Sequence, residues 1–69
     1  MTGLQSRMAR AGLGLGVRDI SAMAKVSTQT ISRLEAGDEL RDRTLADIRR
    51  TYELVGAEFI DDNGVRIIR

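Results

Sequence analysis

Polar side chains with strong hydrogen-bonding groups cluster in the segment KVSTQTISRLEAG, residues 25–37. They supply hydroxyl, amide and guanidinium groups, and they are Ser27, Thr28, Gln29, Ser32 and Arg33. Apolar residues are interleaved with them at Val26, Ile31 and Leu34. In a helix, side chains three or four residues apart are neighbours, so residues 28, 29, 32 and 33 lie on one side. The segment therefore predicts a helix with one side on a core and the other side facing a polar partner.

Composition excludes most enzyme chemistry. The chain has 69 residues with no cysteine and no histidine, which removes disulfides, thiol nucleophiles, imidazole bases and the usual zinc ligands. The segment DDNG at 61–64 lacks the spaced oxygen ligands and the distant glutamate of a calcium loop, and it favours a tight turn. We therefore expect no metal, no cofactor and no enzymatic activity.

Length and hydropathy bound the class of protein. One small domain is expected, close to the size at which oligomerisation becomes a source of stability. No apolar run approaches the roughly 18 residues of a membrane span, and the N-terminus lacks the apolar segment of a signal peptide. The absence of cysteine fits a cytoplasmic location. The sequence predicts a soluble cytoplasmic chain that has no membrane contact.

Basic charge is concentrated in the first half of the chain. Residues 1–37 carry five basic side chains against two carboxylates, a net charge of +3, whereas residues 38–69 carry six against eight, a net charge of −2. Ten of the 11 basic residues are arginine, whose planar guanidinium suits phosphates and guanine edges but equally suits structural ion pairs. Charge alone is therefore a weak indication of a nucleic-acid partner.

Four helices are expected to position the polar cluster. Thr2 and Gln5 have the form of a capping box, and the apolar residues Leu4, Met8, Ala11 and Leu15 follow at helical spacing, which predicts a helix over about 3–13. The glycines of GLGLG should break that helix; a phosphate-binding loop is disfavoured because a helix, not a strand, precedes them. A second helix over 17–24 should bury Ile20, Met23 and Ala24.

A third helix is expected from Ser27, as its cap, to Gly37, where it ends. Only two or three residues connect it to the second helix, and such a short connection forces the two helices to cross steeply, as in a helix-turn-helix. A fourth helix is expected over about 43–55, with Asp42 as a possible cap and Gly56 at its end. Its expected apolar face consists of Leu45, Ile48, Tyr52 and Val55.

The C-terminal segment AEFIDDNGVRIIR predicts a β-hairpin with Asn63-Gly64 as a two-residue loop. That loop pairs Asp62 with Val65, Asp61 with Arg66, Ile60 with Ile67, Phe59 with Ile68 and Glu58 with Arg69. Both faces would then carry apolar side chains, and one small helical domain can cover only one of them. We expect a dimer interface formed by Phe59, Ile60, Ile67 and Ile68; the alternative is a hairpin folded onto its own helices. The expected division is a helical domain over 1–56 and a dimerisation hairpin over 57–69.

Residues 17–37, VRDISAMAKVSTQTISRLEAG, resemble the helix-turn-helix of the Cro/C1-type (XRE) DNA-binding family. The similarity includes Ile20 and Ala24 as core positions, Ser21 where the helices touch, and the ending TISRLEAG, and it extends over roughly residues 3–56. It implies a mainly α, lambda-repressor-like four-helix domain, here followed by a β-hairpin. Two departures stand out: Lys25 replaces the usual turn glycine, and Gly16-Val17 replaces a serine and a phosphate-binding glutamine.

In that family the second helix of the motif lies in the major groove. The resemblance implies base contacts from Thr28, Gln29, Ser32 and Arg33. Glutamine can pair with adenine, arginine with guanine, and a threonine methyl can pack on thymine. For Arg33 the alternative is a solvated or ion-paired surface side chain.

The resemblance also implies residues that contact the DNA backbone and residues that stabilise the fold. The expected phosphate contacts come from Lys25, Ser27, Thr30, Arg41 and Arg43. Ser27 has an alternative role in capping its helix, and nearby carboxylates weaken the case for the two loop arginines. In several relatives, the positions of Arg10 and Glu35 form a buried ion pair between helices one and three.

The resemblance implies a sequence-specific transcriptional regulator that binds double-stranded DNA as a homodimer on an inverted-repeat operator. Repression is the default, because a chain this short can act by occupying a promoter. The alternative is an antitoxin or another protein-interaction module whose main partner is a protein. Small free-standing members of the family are frequent on mobile elements.

Overall fold

The computed structural model describes residues 1–68 and contains four helices followed by one antiparallel hairpin. The helices are α1 (Gly3–Leu13), α2 (Val17–Ala24), α3 (Thr28–Glu35) and α4 (Asp42–Leu54), and the strands are β1 (Ala57–Ile60) and β2 (Gly64–Ile67). The prediction of a mainly helical chain with a C-terminal hairpin is confirmed at this level. None of the helices within 1–68 has the length and hydropathy needed to cross a membrane.

Local sequence sets the helix ends. Thr2 caps α1 in the predicted capping box: its Oγ1 accepts from the Gln5 N–H at 3.2 Å, and Gln5 Oε1 accepts from the Thr2 N–H at 2.9 Å. Gly14 ends α1 in the left-handed region at φ 70°, which glycine adopts without a Cβ penalty. The glycines of GLGLG thus serve helix termini, except that Gly12 remains inside α1.

The core is formed by one or two residues from each helix and the first residue of β1. It consists of Ala9, Ile20, Ile31, Leu34, Ile48, Tyr52 and Ala57. The predicted apolar stripe of α1 is correct only in part: Met8 is half-buried and Leu15 packs against the core, but Leu4 is 49% exposed and Ala11 is exposed. Gln5 and Ser6 are fully buried instead. These polar side chains tolerate burial because both are hydrogen-bonded to distant parts of the chain.

Smaller differences occur in α2 and α4. In α2 Ser21 is buried and Met23 is 40% exposed, the reverse of the expectation for Met23. Helix α4 starts one residue earlier than predicted, with Arg41 rather than Asp42 at the N-cap position, and Val55 lies beyond its end, 41% exposed.

The predicted hairpin register is wrong by three residues. The observed partners are Ala57 with Ile67, Glu58 with Arg66, Phe59 with Val65 and Ile60 with Gly64. Residues 61–63 form the turn, with Asp61 left-handed at φ 50°. In this register all four apolar residues of the face towards the helices lie together, namely Ala57, Phe59, Val65 and Ile67. The predicted register would have put Phe59 and Ile67 on opposite faces, so only one of them could reach the core. The predicted partner Arg69 lies outside the described residues.

Gln5 attaches the hairpin to α1. Its Nε2 donates to the carbonyl oxygens of Asp61 at 2.9 Å, of Gly64 at 3.0 Å and of Ile60 at 3.4 Å. Further along α1, a Cβ at Gly12 would come within 2.6 Å of the Ile67 side chain. Strand β2 can therefore pack directly against α1 because position 12 has no side chain.

Candidate functional site

The connection between α2 and α3 consists of residues 25–27. Lys25 takes the left-handed conformation at φ 58° and ψ 44°, the conformation that a glycine at this turn position would adopt more easily. The Val26 N–H donates to the Ser21 carbonyl at 3.0 Å, which closes the end of α2. The Lys25 side chain is exposed.

Ser27 caps α3. Its Oγ accepts from the Thr30 N–H at 3.1 Å and lies 2.8 Å from Thr30 Oγ1. Ser27 therefore has the capping role that was its alternative, and a second hydrogen bond, between the two hydroxyl groups, restrains Thr30. Both hydroxyls remain near the surface at the start of α3, with Ser27 exposed and Thr30 half-buried.

Helix α3 has one buried and one polar side. Ile31 is completely buried and Leu34 is 4% exposed. The four residues predicted to contact bases are all exposed, and they are Thr28, Gln29, Ser32 and Arg33. The structure thus brings the whole predicted set to the surface of one helix whose opposite side is fixed in the core.

Arg33 has a surface partner. Its Nε lies 3.4 Å from Asp38 Oδ2, and the two side chains are 57% and 55% exposed. An ion pair that exposed contributes about 0–1 kcal/mol in water, so a stronger ligand can displace Asp38. The ion-paired surface arginine considered from sequence is therefore the state of Arg33 in the free chain.

A groove of about 290 Å³ separates α3 from the loop before α4. Its lining includes two guanidinium groups and two hydroxyls, and the residues are Thr30, Arg33, Glu39, Leu40, Arg41 and Thr44. Arg41 thus lies beside the predicted α3 residues, with the Glu39 carboxylate opposing its charge. Arg43 is exposed on the first turn of α4 and does not line this groove.

The ion pair expected between Arg10 and Glu35 is present. Arg10 Nη2 lies 2.6 Å from Glu35 Oε1 and Arg10 Nε lies 2.8 Å from Glu35 Oε2, with side chains 21% and 9% exposed. Burial alone would raise the pKa of Glu35, but the hydrogen bonds from Arg10 and Ser6 outweigh it, so the pKa is lowered. The hydrogen bond to Glu35 raises the pKa of Arg10.

Two residues missed in the sequence complete this network. Ser6 Oγ lies 2.7 Å from Glu35 Oε2 and 2.8 Å from Tyr52 Oη, so it joins α1, α3 and α4. Burial raises the pKa of Tyr52, and the hydrogen bond with Ser6 opposes that shift. The C-terminal end of α3 is therefore held by polar contacts to α1 and is linked through Ser6 to Tyr52 of α4, which orients its exposed side.

The four residues predicted for a dimer interface separate onto two faces of the hairpin. Phe59 and Ile67 pack against the core of their own chain, and the Phe59 ring lies edge-on to Tyr52 with centroids 6.0 Å apart. Ile60 and Ile68 point away from the helices, 46% and 53% exposed. The hairpin therefore folds onto its own helices with one face, and only the second pair is free to contact another molecule.

Within residues 1–68, no group of three or more carboxylates converges as a metal site. No protein-family model matches the sequence, and no curated protein is similar to it at a significant level.

Proposed function

We propose that this protein is a sequence-specific DNA-binding regulator of the Cro/C1 (XRE) type, with a lambda-repressor-like helix-turn-helix formed by α2 and α3. The proposal rests on one observation: α3 exposes Thr28, Gln29, Ser32 and Arg33 together while its other side is anchored in the core. A helix of this kind fits the major groove, where glutamine and arginine form paired hydrogen bonds with base edges.

The surroundings of α3 support contacts to the DNA backbone. Lys25 and Ser27 lie at its N-terminal end, and the groove beside it contains Thr30 and Arg41. Phosphate contacts fix the position of a protein on the duplex, whereas base contacts supply selectivity. On DNA, Arg33 exchanges Asp38 for a base edge, and the exposed ion pair costs little to break.

Repression follows from occupancy. A dimer that presents two copies of α3 about one helical turn apart binds an inverted repeat, and a bound dimer excludes other proteins from that DNA. The predicted operator is therefore an inverted repeat, and the regulated promoter overlaps it.

The test begins with selection of binding sites from a random DNA library by the full-length protein. Affinities of the parent, Gln29→Ala and Arg33→Ala are then measured on the selected site and on a scrambled duplex. Each variant should lose about 1–3 kcal/mol on the selected site and little on scrambled DNA.

Arg50→Ala is the matched control, because Arg50 is an exposed arginine on α4 outside the α3 groove. It should preserve the ratio of the two affinities even where general affinity falls with the lost charge. The absence of any enriched sequence, or equal losses on both duplexes for Arg33→Ala, would contradict base recognition by α3.

A further inference from the structure

The hairpin has an outer face that is turned away from the helices. It carries three rows of opposed residues, which are Gly56 with Ile68, Glu58 with Arg66, and Ile60 with Gly64. The central row is an ion pair, with Arg66 Nε 3.1 Å from Glu58 Oε1. Each outer row has one exposed isoleucine and one glycine. The face thus has charge in its centre and one apolar side chain on each flank. The Ile60 side chain lies over Gly64, where an added Cβ would come within 3.1 Å of Ile60 Cβ.

This pattern is self-complementary about one two-fold axis. If the axis runs parallel to the strands and between them, β1 of one copy faces β2 of the other. Glu58 then meets Arg66 of the second copy, and each isoleucine meets a glycine. An axis across the strands would instead set Glu58 against Glu58 and Arg66 against Arg66, and like charges facing each other are destabilising.

We propose that two copies of the chain associate through their outer faces, packed sheet on sheet around the axis parallel to the strands. Facing rows then contain two isoleucines rather than four branched side chains, so the sheets can approach to the usual spacing of roughly 10 Å. The charges that form the ion pair within each hairpin also pair between the copies.

The size of the face limits the strength of this dimer. Stable interfaces bury about 800 Å² on each partner, which is more than a six-residue hairpin face with two glycines provides. Leu4 of α1 is a further exposed apolar side chain, 49% accessible, outside the hairpin. We expect a dissociation constant on the order of 10–100 μM.

Charge exchange between two variants isolates contacts between chains. Glu58→Arg places two arginines in the central row, and Arg66→Glu places two carboxylates there, so each variant alone should dimerise at least about tenfold more weakly than the parent. Mixed in equal amounts, they restore both pairings across the axis but neither pairing within a chain. Sedimentation should show a heterodimer close to the parent in affinity.

Substitution of the two exposed isoleucines tests the same interface without changing any charge. Ile60→Ser and Ile68→Ser should each weaken dimerisation by about tenfold with little change in folding, because both side chains are already half exposed. The control is Leu54→Ser, which removes a more exposed apolar side chain, 77% accessible, at the end of α4.

All of these measurements are made without DNA, so they do not depend on the proposed function. A parent chain that remains monomeric at about 1 mM, a mixture that associates no better than its components, or a Leu54→Ser variant weakened as much as Ile60→Ser would each overturn the proposal.

Discussion

Gln5 should be the most sensitive polar residue of the fold, and replacing it with glutamate tests why. Its side chain is completely buried, accepts one hydrogen bond from Thr2 and donates to three carbonyl groups of the hairpin turn. Gln5→Glu keeps the size and the acceptor oxygen but replaces the donating amide with a second carboxylate oxygen. That oxygen would face the carbonyls of Asp61 and Gly64, so two attractive contacts become repulsive.

The magnitude follows from the bonds lost. Each of the two short bonds to the turn contributes about 0.5–1.5 kcal/mol net, and placing a carboxylate at this buried position adds further cost, so we expect a loss of about 2–4 kcal/mol at pH 7. For a domain of this size the total stability is about 3–10 kcal/mol. The thermal midpoint should fall by about 10–25 °C.

The pH dependence gives a second signature. Burial and the facing carbonyls disfavour the charged form, so the introduced carboxyl has a raised pKa in the folded chain. The cost is fully present above that raised pKa and diminishes as the pH falls through it, because the protonated acid can again donate. The difference in stability between Gln5→Glu and the parent should therefore shrink between about pH 7 and pH 4.

Thermal unfolding by circular dichroism across that pH range measures this difference directly. Gln29→Glu is the control, since it makes the same chemical change on the exposed side of α3 and should stay within about 0.5 kcal/mol of the parent. A Gln5→Glu variant as stable as the parent at pH 7, or a deficit that does not change with acid, would refute the role assigned to this amide.

Three further changes probe the backbone and the ion-pair network. Lys25→Gly should raise the free energy of unfolding in urea by up to about 1 kcal/mol, because it removes the left-handed strain at φ 58°; an unchanged midpoint would count against that strain. Gly3→Ala should lower stability by about 1–3 kcal/mol although alanine favours helices, because the new Cβ would overlap the Leu34 carbonyl oxygen; a more stable variant would show that α1 and α3 can separate. Because the pKa of Glu35 is lowered in the folded chain, the ionised side chain contributes to stability above the ordinary carboxylate pKa of about 4.3. That contribution is lost as the pH falls through the pKa of the folded state. In the Glu35→Gln variant the thermal midpoint should therefore fall less steeply with decreasing pH than in the parent. An unchanged pH dependence would show that other carboxylates cause the acid sensitivity.

Helix positions could be predicted from sequence because their signals are local. The capping pair at Thr2 and Gln5, the serine at 27 and the glycine at 14 act within one turn of chain, and each has its expected role. The exposed polar side of α3 could also be predicted, since Ile31 and Leu34 fix which side is buried. These features depend on periodicity and backbone geometry, which neighbouring residues decide.

The buried side of α1 could not be found in this way. Periodicity assigns polar residues to solvent, but Gln5 and Ser6 are buried because they are hydrogen-bonded to distant residues. The hairpin partners of Gln5 are at least 55 residues away along the chain, and the partners of Ser6 are 29 and 46 residues away. A buried polar group is tolerated only when it is hydrogen-bonded, and a local pattern contains no information about a distant partner.

Sequence alone determined that a hairpin exists, through its β-prone runs and the turn residues between them. The tertiary structure decided its register. Asn63-Gly64 favours a two-residue loop, but the observed turn lets Phe59 and Ile67 reach the core together and offers its carbonyls to Gln5. A register shift of three residues moves the side chains of one strand to the opposite face relative to the other strand. Only the observed register buries one complete apolar face, and the free energy gained by that burial outweighs the intrinsic preference of the turn.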